Sequence, residues 1–157
     1  KTWTLGTGKS VKWPAGVGEK GNAGVAARIK SRIGSIGYVN QSYIKGDVRA
    51  ASLENKSGEF LMPSVEAGAV ALNGIALDDN LAGTDPNPAA EGAYPIATLT
   101  WVLAYRSGNG TDAAVLKDAF NYLLSDAAQN KASSLGFVPL KGNILAKSKA
   151  AVNMIGQ

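Results

Sequence analysis

Short β-prone runs alternate with amphipathic helical stretches along this chain, and that alternation limits the folds open to it. Ser10-Val11-Lys12-Trp13 alternates polar and apolar until Pro14 stops it. Asn22 then stands where a helix cap belongs, before a helix over Ala23 to Arg32 with Val25 and Ile29 on one face and Gly34 at its end. Ser35 to Val39 reads as a buried strand, and Val48 to Leu53 lies between the turns Gly46-Asp47 and Lys56-Ser57-Gly58. Ser64 caps a second helix whose stripe is Val65, Ala69, Leu72 and Ala76. Asp78 to Gly92 is a loop rich in turn residues, and Ile96 to Tyr105 is a long β-prone run. Asp112 to Ser134 is the clearest helix, through Leu116, Phe120, Leu123 and Ala127. Gly136 closes it, Phe137 to Leu140 is extended, and residues 143–155 form a last helix through Ile144, Ser148, Ala151 and Ile155. Strands alternating with helices predict an α/β class.

What the chain lacks removes whole classes of chemistry. It has no Cys and no His, so thiol nucleophiles, disulfides, imidazole bases and Ser-His-Asp triads are excluded, with most structural zinc sites. The net charge of +4 is spread along the sequence, and no basic run interleaves with aromatics as a nucleic-acid surface requires. Such a mild positive field reads as ordinary surface charge, although it favours an anion. No stretch reaches the roughly 20 apolar residues of a membrane span. Its 157 residues suffice for one compact domain or for parts of two. The start at Lys1-Thr2-Trp3, with neither Met nor leader, reads as a processed, cleaved or truncated amino end.

Several motifs invite a catalytic or nucleotide reading. Gly16-Val17-Gly18-Glu19-Lys20-Gly21 matches G-x-G-x-x-G between a predicted strand and a predicted helix, the context of dinucleotide binding. That fold also needs an acidic residue at the end of the next strand, and none follows Val39-Asn40 until Asp47. Thr7-Gly8-Lys9-Ser10 has the end of a P-loop, but its first Gly falls at Trp3, whose side chain blocks the backbone wrap around a phosphate. Asp78, Asp79 and Asp85 lack calcium-loop spacing and read as a solvated turn. Glu54, Glu59 and Glu66 are read as exposed charge, since nothing fixes two of them as an acid–base pair. Trp3, Trp13 and Trp101 read as packing, with Trp101 in the core.

One long segment is more specific. Val11-Lys12-Trp13-Pro14-Ala15-Gly16-Val17-Gly18-Glu19-Lys20-Gly21-Asn22-Ala23-Gly24-Val25-Ala26 closely resembles the V-x-W-P-x-G-x-G-x-K-G-N-x-G-[VI]-A stretch of the periplasmic phosphate-binding proteins that feed phosphate ABC importers. Gly34 to Val39, Tyr94-Pro95-Ile96 with Thr98 to Leu103, and Leu135 to Leu140 are similar to later elements of that family. The resemblance runs from about Trp3 to about Leu140.

The resemblance implies a two-lobed, hinged type II binding-protein fold with phosphate clamped in the cleft. Residues 1–95 would belong to the second lobe, 96–105 would be the crossover strand between lobes, and 106–157 would complete the first lobe. Its partners would be inorganic phosphate, the N-terminal half of its own fold and an ABC permease. The complete protein would be a monomer in the periplasm or on the outer face of the membrane, with no cofactor, no metal and no catalytic residue.

The family holds phosphate mainly with earlier segments, among them an Arg before a Ser-Gly-Thr loop at a helix start. No Arg-x-x-x-Ser-Gly-Thr occurs here, so none of those ligands is carried over. The candidates that remain are Gly18, Gly21 and Asn22, a Gly-rich loop and helix start expected at the cleft rim, against the plainer reading that the glycines only permit a tight turn. Two other functions stay open: a related secreted binder of another oxyanion, and an α/β enzyme using a nucleotide.

Overall fold

The computed structural model describes residues 3–8 and 10–157, so Lys9 of the P-loop-like motif lies outside them, as do Lys1 and Thr2. The chain divides into two units, Lys1–Val48 and Arg49–Gln157.

The first unit is built on one helix. Helix α1 spans Gly21–Ser31, and a 3₁₀ turn follows at Gln41–Tyr43. Val25 and Ile29 share a half-buried face, as their spacing predicts, and the chain returns across it at Gly37. A Cβ on Gly37 would come within 2.9 Å of Ile29 Cδ1 and 3.0 Å of Val25 Cγ1, so a side chain at that crossing would have to displace both. Trp3 and Trp13 meet edge to face with ring centroids 5.4 Å apart, both largely exposed.

In the second unit, β1 (Leu53–Glu54) and β2 (Phe60–Leu61) form an antiparallel hairpin with Leu53 opposite Leu61 and Glu54 opposite Phe60. Helix α2 spans Val65–Asn73, capped as expected by Ser64, whose hydroxyl accepts the Ala67 N–H at 3.0 Å. The single helix predicted over Asp112–Ser134 is two: α3 (Asp112–Leu123) and α4 (Asp126–Ala132). Ser125 breaks it, since its hydroxyl accepts the Ala128 N–H and donates to Tyr122 O, a local alternative to helical hydrogen bonding. A 3₁₀ turn at Ser133–Leu135 ends in left-handed Gly136, and α5 runs Gly142–Asn153. Leu72, Ile75 and Ile144 form the buried cluster, flanked by Leu77, Ala97, Leu99, Val138 and Leu140.

The α/β expectation is corrected at the level of the sheet. Among the described residues the architecture is mainly helical with one two-stranded hairpin. Residues 10–13, 35–39, 96–105 and 137–140, read as strands or extended pieces, join no ladder. A strand exists only through a neighbour, and these runs have none: Ile36 is 91% exposed and Leu103 94%. Their period-two pattern survives in part, with Ala97 and Leu99 half-buried and Thr98 and Thr100 exposed. Trp101 is likewise 43% exposed rather than in the core, and its indole N–H donates to Leu81 O at 2.7 Å. Among the described residues no helix is long and apolar enough to cross a membrane.

Candidate functional site

The glycine-rich approach to α1 is shaped by backbone conformation. Gly16 and Gly21 have φ of +114° and +65°, a region L side chains rarely adopt. Gly18 does not, and a Cβ there would meet nothing within 4 Å. Gly18, Gly21 and Asn22 are all exposed. The structure thus brings them together at one open helix start.

The cap differs from expectation. Helix α1 begins at Gly21 after an extended Lys20 that makes no side-chain cap, and Asn22 lies inside the first turn. Its Oδ1 accepts the Asn40 N–H at 2.9 Å, while Asn40 Oδ1 accepts the Ser42 N–H at 2.9 Å and opens the 3₁₀ turn. Asn22 therefore fastens the helix start to the segment that returns past Gly37. No acidic residue occupies the first turn. The partial positive charge of a helix N-terminus favours an anion there. Glu19 Oε1 and Arg28 Nε pair at 2.7 Å, closing the loop back on the helix; at this exposure the ion pair is worth little.

Outside this loop, Asp78 and Asp85 serve as turn formers. Asp78 Oδ1 accepts the N–H groups of Asn80 and Ala82 at 2.9 and 2.8 Å, and Asp85 accepts from Asn87. Among the described residues no three His, Cys, Asp or Glu side chains converge to hold a metal. The shallow pocket beside α2 and α5, lined by Leu72, Val138, Leu140 and Ile144, is an extension of the apolar core.

Glu59 corrects the reading as exposed charge. It is half-buried, and its Oε2 accepts from Gly92 N–H at 2.7 Å, Ser57 Oγ at 2.8 Å and Asn55 Nδ2 at 2.9 Å. Those donors, led by the Gly92 amide, hold its carboxyl below the usual carboxylate range. Buried Asn55 also donates to Ala93 O and accepts from Ser57 and Glu59 N–H groups. The local signal was present in Asn55-Lys56-Ser57-Gly58-Glu59, where Asn and Ser open a turn and Gly completes it. Its distant partners, Gly92 and Ala93, had none.

Comparison with known proteins gives these features a context. A phosphate-binding protein PstS of Xylella fastidiosa is 36% identical over 154 residues, covering 93% of this chain and 41% of the relative. The chain is homologous to PstS phosphate-binding proteins. A PstS of Pasteurella multocida is 34% identical over 152 residues, covering 94% of the chain and 44% of that protein. One of Methanocaldococcus jannaschii is 30% identical over 182 residues, covering 99% and 45%. The chain therefore spans less than half the length of these relatives. No family model matches it. The PstS homology implies a type II binding-protein fold, while among the described residues the chain carries only the small hairpin as sheet.

Proposed function

We propose that this chain is the C-terminal part of a phosphate-binding component of an ABC phosphate importer, a binding role without catalysis. The observation that carries the reading is the PstS similarity along 93% of the chain. The protein would act in the periplasm or on the outer face of the membrane and hand inorganic phosphate to a permease.

In this reading residues 1–95 belong to the second lobe, 96–105 cross between lobes, and 106–157 complete the first. The N-terminal half of the fold supplies most of the ligand groups. A phosphate taken out of water needs many donors, because an unpaired buried charge is very costly. Gly18, Gly21 and Asn22 would stand at the cleft rim, where an uncapped helix start adds a favourable dipole.

Calorimetry tests this directly. A full-length PstS relative carrying residues 1–157 in place of its own matched portion should bind phosphate, and the 157-residue chain alone should not bind it tightly. Micromolar or tighter binding by the chain alone would overturn the assignment of the ligand groups to the other half. Competition by sulfate and arsenate in the chimera separates phosphate from a related oxyanion.

A further inference from the structure

Tyr94-Pro95-Ile96 enters the run read as a crossover strand, but Pro95 and Ile96 form a turn and Ile96 has a φ of +69°. Turns with Pro at the first central position and positive φ at the second take Gly or Asn there. At positive φ a Cβ crowds the carbonyl that follows, and a β-branched residue is the least suited of all. Nothing about the side chain offsets this, for Ile96 is 67% exposed.

The backbone is held in place from upstream. Ile96 N–H donates to Pro86 O at 3.0 Å, and Tyr94 N–H to Ala67 O at 3.1 Å. Asn55 fastens Ala93, and Glu59 fastens Gly92. Downstream, Ala97 and Leu99 touch the core, Trp101 bonds to Leu81 O, and Val102, Leu103 and Tyr105 face solvent without a ladder.

We propose that Ile96 is a conformational pivot. It is strained while the run 97–105 is unpaired, and it relaxes to extended backbone when that run gains a strand neighbour. Relief of the strain then favours the paired arrangement, in which a β-branched residue is preferred. The paired arrangement rests on the crossover reading of residues 96–105; the strain does not.

Substitution to Gly separates the two arrangements by sign. In the 157-residue chain, Ile96→Gly should raise the urea midpoint and lower the unfolding equilibrium constant about threefold, the left-handed penalty removed less the extra freedom of Gly. Thr98→Gly, exposed and not at positive φ, should lower the midpoint. In the full-length chimera Ile96→Gly should lower the midpoint too, because extended backbone favours Ile. A destabilising Ile96→Gly in the chain alone overturns the strain, and a stabilising one in the chimera overturns the release. Phosphate affinity of the unsubstituted chimera, measured separately, reports on the proposed function whatever the pivot does.

Discussion

Asn22 Oδ1 accepts the backbone N–H of Asn40 at 2.9 Å, a bond across 18 residues that ties the start of α1 to the turn beyond the Gly37 crossing. The helix start is thus a clasped structure, and Gly21 beside it supplies the left-handed backbone.

Substituting Asn22 tests both its roles. Asn22→Ala removes the acceptor and should cost about 0.5–1.5 kcal/mol, toward the lower end because the bond is exposed. Asn22→Asp keeps the acceptor and should retain most of that stability in thermal melts. In the full-length chimera Asn22→Ala should also weaken phosphate binding by calorimetry. An unchanged Kd would leave Asn22 as a clasp alone.

Glu59 makes stability depend on acid. Its folded pKa lies below the unfolded value of about 4.3, so ionised Glu59 contributes stability above that value. The contribution is lost as pH falls through the folded pKa. Urea midpoints followed from pH 7 to pH 3 should therefore fall at the acid end more steeply for the natural chain than for Glu59→Gln. Asn55→Ala should be the more damaging change, about 1–3 kcal/mol, since Asn55 is buried and its loss strands the Ala93 carbonyl and the Glu59 N–H. Parallel curves for the natural chain and Glu59→Gln would show that the carboxylate network does not stabilise the hairpin.

The packing of α2 depends on a residue with no side chain. A Cβ on Gly68 would lie 2.7 Å from Val138 Cγ2. Gly68→Ala should therefore destabilise by about 1–3 kcal/mol through overpacking, despite the better helix propensity of Ala. Val138→Ala should restore part of the loss in a double-mutant cycle. Additive effects of the two substitutions would show that they do not touch.

The elements read most accurately from sequence are those fixed by neighbours a few residues away. Ser64 caps α2, Gly136 ends the α4 region in a left-handed residue, and the stripe through Ile144 buries its own first member. The alternation of Ala97, Thr98, Leu99 and Thr100 records a strand tendency, while a ladder requires a partner. Ser125 reads as helix interior because its hydrophobic neighbours keep the period, and the hydroxyl's competing bonds carry no periodic signal. Asn22 reads as the cap of α1 but lies inside its first turn, with its acceptor committed to Asn40, 18 residues on. In the same way Ile96 reads as the first residue of a strand, and only the turn at Pro95 shows it otherwise.

The lobe assignment makes a prediction about distance. Leu72 and Ile144 share the buried cluster of this chain, yet the proposed boundaries place them in different lobes of the complete fold. A two-lobed protein would separate them, and the apolar face of each would be covered within its own lobe. The chain has no Cys, so spin labels can be placed at will. Asn73→Cys and Lys141→Cys flank the same pocket on exposed positions and leave the core untouched. In the 157-residue chain the two labels should give a short, narrow distance distribution by pulsed electron resonance. In the full-length chimera the distribution should move to longer distances, and phosphate should shift it further if the lobes close on the ligand. A short distance retained in the chimera would place both segments in one lobe and refute the boundary at residues 96–105.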